Sequence, residues 1–217
     1  MIVNGVSVML FGNETGFRRL VCERLLLREP HVSDATDLFA FCSDPESCRY
    51  ADWQPHTDKS DSRAYISWLK KQMRTERGRV CTWFAALKDS QKVIGTVSIV
   101  DTDYSGHIVT VGYTFSGEYQ HHGYATEAVT ALLDYLFRER DIARVQAKVM
   151  PQNLPSIRLL ERVGMRQEGL LKQGAFCKTT CVDVFLYAVT REEWLSRVGK
   201  AGRLHRTEES PLRGTDR

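Results

Sequence analysis

The chain has 217 residues, and its 30 Lys and Arg nearly balance 27 Asp and Glu, for a formal net charge of +3. This length fits one α/β domain, and the charge gives no whole-protein reason to expect direct nucleic-acid binding. Its apolar runs are too short to span a membrane, and its start lacks a secretory leader pattern, so we expect a cytoplasmic protein. The six cysteines are expected to be reduced thiols, and their spacing does not predict a metal site.

The first half of the chain alternates between β and helical patterns. Residues 20–28 predict a first strand. Ser33 is expected to cap a short helix that ends before Pro45, and residues 60–77 predict a longer amphipathic helix. Three β-rich runs then predict an antiparallel meander, at residues 80–87, 93–100 and 107–115.

In the second half, helices and strands alternate. They are predicted in turn at residues 126–137, 143–149, 156–163 and 179–189. Thr190 with Glu193 predicts a capping box for one last short helix. The composition after residue 198 predicts a disordered tail at 199–217, whereas residues 1–16 fit either a flexible arm or a short extra strand. The folded domain is therefore expected to span residues 17–198.

Residues 111–128 read as a strand, a short loop and a helix entry, with Gly123 and Ala125 in the first turns of that helix. Helix N-termini leave backbone N–H groups unpaired and bind phosphate oxygens, and small residues there let the backbone approach closely. The alternative is an ordinary helix entry with a turn glycine. The sequence has neither GxxxxGK[ST] nor an early GxGxxG, so a P-loop or Rossmann site has little support.

The wider segment resembles the Gln/Arg-x-x-Gly-x-Gly/Ala motif of the GNAT superfamily of N-acetyltransferases. Gln120, Gly123 and Ala125 match the motif, and the continuation GYATEA is similar to the branch of ribosomal-protein alanine acetyltransferases. The resemblance covers about residues 20–196. Other matching stretches are Glu23-Arg24-Leu25 with Leu27-Arg28, Asp44-Pro45-Glu46, Asn153 with residues 156–161, Glu168-Gly169, and Asp183 with Tyr187.

The resemblance implies an α/β (α+β) fold with a mixed, mostly antiparallel sheet of six to seven strands flanked by helices. Its fourth and fifth strands would splay apart, and acetyl-CoA, the cosubstrate, would lie in that gap. Asn153 fits a helix cap equally well. The residues expected to bind the cosubstrate are Tyr113, Thr114, Phe115, Gln120, His121, His122, Gly123, Tyr124, Ala125, Thr126, Asn153 and Arg158.

For catalysis, the resemblance makes Ser156 the candidate proton donor to the departing thiolate, with helix capping as its alternative. Relatives often carry a Glu on the fourth strand, but this chain has Thr110 there. Glu118 is the candidate carboxylate, although it could serve only to fix the loop, and a relayed water is at least as good a proton acceptor. His121 and His122 replace a common Gly-Lys, which removes one cationic phosphate contact.

Acceptor binding would fall to two lids, the loop 49–56 and the turn 172–176. Their candidate residues are Arg49, Tyr50, Trp53, His56 and Phe176; Trp53 and Phe176 could instead be core residues.

The leading hypothesis is an N-acetyltransferase that acts on a protein N-terminal α-amine. A small-molecule amine or antibiotic is the rival acceptor, and a non-catalytic acyl-CoA-binding module is the alternative from another class. Both a monomer and a homodimer fit the sequence.

Overall fold

The computed structural model describes residues 18–75 and 80–204, with side chains as far as residue 198. Within these residues one eight-stranded sheet is flanked by five α-helices. In chain order the elements are β1 (Leu20–Val21), β2 (Leu25–Arg28), α1 (Ala35–Cys42), α2 (Lys59–Thr75), β3 (Cys81–Leu87), β4 (Val93–Thr102), β5 (Ile108–Phe115), α3 (Tyr124–Arg138), β6 (Arg144–Val149), α4 (Leu154–Arg162), β7 (Arg166–Cys177), β8 (Thr180–Thr190) and α5 (Arg191–Leu204).

The strands lie in the order β1-β2-β3-β4-β5-β6-β8-β7, and every neighbouring pair is antiparallel except β5 and β6. The mixed, mostly antiparallel sheet and the meander β3–β5 are confirmed. The predicted number of six to seven strands was too low. Strand β7 (Arg166–Cys177) was not assigned in the sequence, and the single strand expected at residues 20–28 is two short antiparallel strands. The chain reverses between them, where the Cys22 N–H donates to the Leu25 carbonyl at 3.0 Å.

The parallel pair β5–β6 is joined over only three positions, from Ile108 opposite Arg144 to Thr110 opposite Gln146. Both strands then continue without pairing to each other, to Phe115 and Val149 respectively. A gap therefore opens between them after Thr110, which confirms the splayed strands that the resemblance implied.

Two apolar clusters hold helices to the sheet. The larger one lies against α3 and α4 and includes the fully buried Leu132, Leu136 and Leu160. The smaller one packs α1 and α2 onto Phe84, with Ile66 of α2 completely buried. The opening between β5 and β6 therefore belongs to a sheet that carries helices on both faces.

The helix starts differ in detail from those predicted. Ser33 does not cap α1; it lies in a 3-10 turn, Val32–Asp34, and Asp34 is the residue before the helix. A capping box at Thr190 is confirmed. The Thr190 N–H donates to Glu193 Oε2 at 2.9 Å, and the Glu193 N–H donates to Thr190 Oγ1 at 3.4 Å.

The predicted tail boundary at residue 199 was wrong, because α5 continues to Leu204. Gly199 and Gly202 disfavour a helix in this segment, but its other four residues are good helix formers and extend a helix that is already nucleated at its capped start. Residues 205–217 and the predicted arm at 1–16 lie outside the described residues.

No helix in the described part of the chain combines the length and the apolar character needed to cross a membrane. The six cysteines are free thiols.

A buried ion pair ties β2 to the start of α1. Arg28 Nη1 and Nη2 each lie 2.8 Å from an oxygen of Asp34, and both side chains are about nine-tenths buried. Asp34 Oδ2 also accepts from the His31 N–H at 2.8 Å. The carboxylate therefore satisfies three donors at a point where the chain turns from the sheet into its first helix.

We expect Asp34→Ala to lower the free energy of unfolding by about 3–5 kcal/mol, because it leaves the buried Arg28 guanidinium unpaired. Arg18→Ala is the matched control: it removes the exposed ion pair with Glu139 and should cost about 0–1 kcal/mol. Urea denaturation of both variants measures the difference. Equal losses in the two variants would contradict the prediction.

Candidate active site

The loop that enters α3 turns sharply just before the helix. After a 3-10 turn at Gly117–Tyr119, His121 has φ 64° and Gly123, the residue before α3, has φ 81°. A residue with a side chain is strained in this left-handed region, and glycine is not. Gly123 is therefore required by the backbone, whichever ligand the loop binds.

This turn exposes a run of amides. Among the described residues, no hydrogen-bond acceptor is found for the backbone N–H groups from His121 to Thr126, and no side chain caps α3. The positive end of the α3 dipole adds to their field. Six adjacent donors at a helix start form a cradle for a phosphate-like anion.

An ion pair from β1–β2 anchors the cradle. Arg24 Nε donates to Glu127 Oε2 at 2.8 Å, and Arg24 Nη1 donates to the His122 carbonyl at 2.9 Å. Glu127 Oε1 accepts in turn from the backbone N–H groups of Arg24 and Leu25, at 2.7 and 3.2 Å. Arg24 therefore fixes the His122 peptide in place by its carbonyl oxygen, and the neighbouring N–H groups remain free for a ligand.

Two arginines supply positive charge where the motif's lysine is missing. The Arg24 guanidinium lies 4.4 Å from the centre of the Tyr124 ring, and Arg162 Nη1 of α4 lies 3.4 Å from Thr126 Oγ1. Sequence reasoning did not assign Arg24, Glu127 or Arg162 to the site. Arg24 and Glu127 stand inside matching motif stretches, which was the available signal, whereas Arg162 reaches the loop only through the packing of α4 on α3.

The residues beside the cradle are largely exposed. Gln120, His121 and His122 are exposed, and Tyr124, Ala125 and Thr126 are half-buried. His122 Nδ1 lies 2.7 Å from the Gln120 carbonyl, and its ring stacks on Tyr124. His122 therefore stiffens the loop.

Across the gap, Asn153 caps α4. Its Oδ1 accepts from the Ser156 N–H at 3.3 Å. The capping alternative is thus correct for Asn153 and wrong for Ser156, because the helix starts two residues earlier than predicted. The Ser156 hydroxyl instead lies 2.7 Å from Tyr113 Oη.

The side chains of Tyr113, Thr114 and Phe115 on β5 differ in burial. Tyr113 packs against the main core, and burial raises the pKa of its phenol above the usual range despite the opposing effect of its contact with the Ser156 side chain. Phe115 is buried in the same core, and Thr114 is half-buried. The Phe115 side chain is therefore packing, which leaves its backbone for the gap.

Thr110 is the position at which the resemblance implied a carboxylate. It is buried, and its Oγ1 accepts from Gln146 Nε2 at 3.2 Å, at the last paired position of β5 and β6.

Arg144, two residues before Gln146, forms a bidentate ion pair with the carboxylate of Glu168. This pairing lowers the pKa of Glu168, which is therefore a poor proton acceptor near neutral pH.

Glu118 lies in the 3-10 turn before the cradle and is largely exposed. Its carboxylate is 3.9 Å from Lys92 Nζ, and Lys92 also lies 5.2 Å from the Tyr119 ring centre. These contacts link the loop to the start of β4, which favours the loop-fixing alternative for Glu118. Across residues 18–75 and 80–204, no cluster of three His, Cys, Asp or Glu suggests a metal site.

The loop 49–56 spans the open end of the gap. Tyr50 Oη donates to the Gln152 carbonyl at 3.1 Å, just before α4, and Cys177 Sγ lies 3.3 Å from the Ala51 carbonyl. The loop is therefore tied to the turn after β6 and to the end of β7. Because the loop joins α1 and α2 to segments on the β6 side of the gap, we call it the roof.

The other predicted acceptor residues occupy different environments. Trp53 is half-buried against Tyr65, so its packing alternative is supported, whereas Phe176 is 67% exposed and its core alternative is wrong. Residues 172–176 are part of β7 and not a turn, because β7 continues to Cys177 through an irregular register with β8. Arg49 is exposed and paired with Glu46.

His56 belongs to the base of the roof. Its Nδ1 lies 2.8 Å from the completely buried Ser62 hydroxyl, and burial lowers the pKa of its imidazole. Arg158 of α4 is exposed, and among the described residues no acceptor is found for its guanidinium. Arg158 is therefore available to an anionic ligand.

We expect Gly123→Val to abolish CoA binding, because valine is strained at φ 81° and its branched side chain intrudes on the cradle. Gly169→Val is the matched control, since no atom lies within 4 Å of an added Cβ there. Calorimetric titration with CoA measures both affinities. A folded Gly123→Val variant with wild-type affinity would refute the role of the cradle.

We expect Glu127→Ala to weaken CoA binding about tenfold, because it releases Arg24 and with it the His122 carbonyl. Arg138→Ala, which breaks an exposed pair with Asp134 on the same helix, should leave the affinity unchanged. Titration calorimetry after a thermal melt of each variant checks this. Wild-type affinity in folded Glu127→Ala would show that the anchor is dispensable.

Comparison with known proteins agrees with this geometry. The acetyltransferase (GNAT) domain matches residues 24–166. The N-acetyltransferase p20 of Bacillus licheniformis is 33% identical over 175 residues, covering 81% of this chain and 97% of that protein. The ribosomal protein uS5-alanine N-acetyltransferase of Escherichia coli K12 is 28% identical over 182 residues, covering 81% and 92%. Mycobacterium smegmatis RimJ, solved with CoA-disulfide, superposes with a TM-score of 0.69 at 25% identity, covering 86% and 95%.

These matches distinguish the enzyme hypothesis from the non-catalytic module. The family's domain covers most of the chain. Both sequence relatives are named as N-acetyltransferases, and the match extends over nearly their whole length. The binding-module alternative is therefore not supported. The chain belongs to the GNAT family and is an acyl-CoA-dependent acetyltransferase.

Proposed function

We propose that the enzyme transfers the acetyl group of acetyl-CoA to the α-amine of a protein N-terminus. The observation that carries this choice is the replacement of a strand carboxylate by Thr110, which is bound to Gln146. Such a site suits an acceptor that loses its proton easily.

The cosubstrate would occupy the gap between β5 and β6. The pyrophosphate would lie on the six amides from His121 to Thr126, with Arg24 and Arg162 beside them. Pantetheine would pair with the unpaired edge of β5 at Tyr113–Phe115, where the sheet has ended its hydrogen bonds to β6. Asn153 and the free guanidinium of Arg158 would line the far side.

In this arrangement the neutral acceptor amine attacks the carbonyl carbon of the thioester. A nitrogen–carbon bond forms, the negative charge on the carbonyl oxygen is stabilised by a β5 N–H near Tyr113 or Thr114, and the carbon–sulfur bond then breaks. The thiolate gains one proton and the attacking nitrogen loses one, so the reaction yields an amide and free CoA. The Ser156 hydroxyl would donate to the sulfur. It is not needed to cap α4, because Asn153 already does so.

The acceptor has to reach this point as a neutral amine. At pH 7.5 an N-terminal α-amine, with a pKa of about 7.7–8.0, is roughly one-third neutral, whereas a lysine, with a pKa of about 10.4, is neutral in only about one molecule per thousand. Thr110 supplies no carboxylate, Glu168 is paired with Arg144, and Glu118 is paired with Lys92. A relayed water is sufficient for the α-amine and a poor base for a lysine.

The roof fits an extended acceptor. Tyr50 is fixed to the Gln152 carbonyl, while Phe176 and Arg49 remain exposed beside the opening. These side chains, with Trp53 and His56 at the base, would contact the first residues of a protein N-terminus. The Escherichia coli relative is a ribosomal protein uS5-alanine N-acetyltransferase, which supports this acceptor class.

The test compares three sets of acceptors with CoA release as the readout. They are peptides with a free N-terminus, the same peptides with a blocked N-terminus and an internal lysine, and small-molecule amines. We expect turnover on the first set, and kcat/KM should rise with pH through the acceptor's α-amine pKa, near 8. Turnover on small amines alone, or equal turnover on blocked lysine peptides, would exclude the N-terminal acceptor.

A further inference from the structure

One side-chain contact bridges the gap where the strands no longer pair. Tyr113 lies on β5 three residues beyond Thr110, the last paired position, and Ser156 lies in the first turn of α4, which follows β6. Tyr113 Oη is 2.7 Å from Ser156 Oγ and 3.3 Å from the Ser156 carbonyl. The two sides of the opening are thus joined by a phenol.

The Ser156 hydroxyl is not used to start its helix. The Ser156 N–H is satisfied by Asn153 Oδ1 at 3.3 Å, so α4 has its cap from another residue. Among the hydrogen bonds of the described residues, Ser156 Oγ has Tyr113 Oη as its single partner. The contact therefore requires an explanation other than capping.

The Tyr113 phenol has one hydrogen and two acceptors within reach, and Ser156 Oγ at 2.7 Å is closer than the Ser156 carbonyl at 3.3 Å, so Oγ is the acceptor that the distances favour. Burial raises the pKa of Tyr113, so its hydroxyl keeps its proton at neutral pH. A serine oxygen that accepts from Tyr113 still has its own hydrogen to donate to a third group. That hydrogen would be oriented, since one side of the serine oxygen is already occupied.

We propose that Tyr113 is a positioning residue that, by donating to Ser156 Oγ, turns the Ser156 O–H toward the sulfur of CoA. The inference rests on the proposed function, which places the sulfur beside Ser156. As the carbon–sulfur bond breaks, its electron pair goes to sulfur, and the oriented O–H donates to the thiolate. The proton that sulfur finally gains balances the one lost by the attacking nitrogen, so Ser156 ends as a neutral hydroxyl.

The first test needs no acceptor. The thiol of bound CoA is titrated by thiolate absorbance in wild type, Tyr113→Phe, Ser156→Ala and the double variant. We expect the pKa of the bound thiol to rise by about one unit in each single variant, and no further in the double variant, because both substitutions act on the thiolate through the same Ser156 O–H. An unchanged pKa in Tyr113→Phe, or additive rises in the double variant, overturns the proposal.

The second test uses turnover. Tyr113→Phe should lower kcat by roughly tenfold or more, with KM for acetyl-CoA nearly unchanged, and should have no further effect in the Ser156→Ala background. A merely structural role would give additive losses or a raised KM. Tyr135→Phe, which removes another phenol from the core, is the control and should leave both the thiol pKa and kcat unchanged.

Ser156→Thr keeps the hydroxyl and provides a check if Tyr113→Phe fails to fold. It should retain the lowered thiol pKa that Ser156→Ala loses, and equal pKa values in the two variants would overturn the proposal. The same experiments distinguish failure of the proposed function from failure of the positioning role of Tyr113. If no acceptor is acetylated but the thiol titration shows coupling, the acceptor assignment fails and the positioning role stands. If CoA does not bind, both fail.

Discussion

The site depends on one constraint, the end of parallel pairing between β5 and β6 after three positions. Backbone groups on the facing edges beyond Thr110 then have no strand partner, and such groups require hydrogen bonds from elsewhere. The two helices that follow these strands, α3 and α4, both begin beyond the divergent ends. A single opening in the sheet is thus bordered by strand edge and by two helix N-termini, which suits a long ligand with a polar amide arm and phosphates at its end.

Long-range contacts hold this opening in shape. Arg24 and Glu127 are 103 residues apart and connect the first hairpin to the start of α3. Tyr50 reaches Gln152 over 102 residues, and Tyr113 reaches Ser156 over 43. The first contact fixes α3 on the β1–β5 side of the gap, and the other two join that side to α4 and the segment before it. The arrangement is preorganised because the anchoring groups are already paired before any ligand arrives.

Much of the architecture was predictable because it follows from the local hydrophobic periodicity and from turn and capping residues. The meander β3–β5, the helix α3 and the capping box at Thr190 were all found close to their predicted positions. The first strand was misread because the turn between β1 and β2 contains neither Gly nor Pro, and its polar residues Glu23 and Arg24 also fit the exposed face of one continuous strand. The cap of α1 and the start of α4 were shifted because several polar residues compete for one capping position.

For the site, the sequence by itself determined the helix entry at Gly123 and predicted an anion cradle there, because Gly123 and Ala125 fit this local backbone geometry. It also determined that position 110 holds no carboxylate. Only the tertiary structure decided that Asn153 caps α4, that Tyr113 holds Ser156, and that Arg162 reaches Thr126. The physical reason is that a hydrogen bond between distant residues depends on how strands pair and helices pack, and several partners are equally compatible with the local pattern until the sheet is assembled.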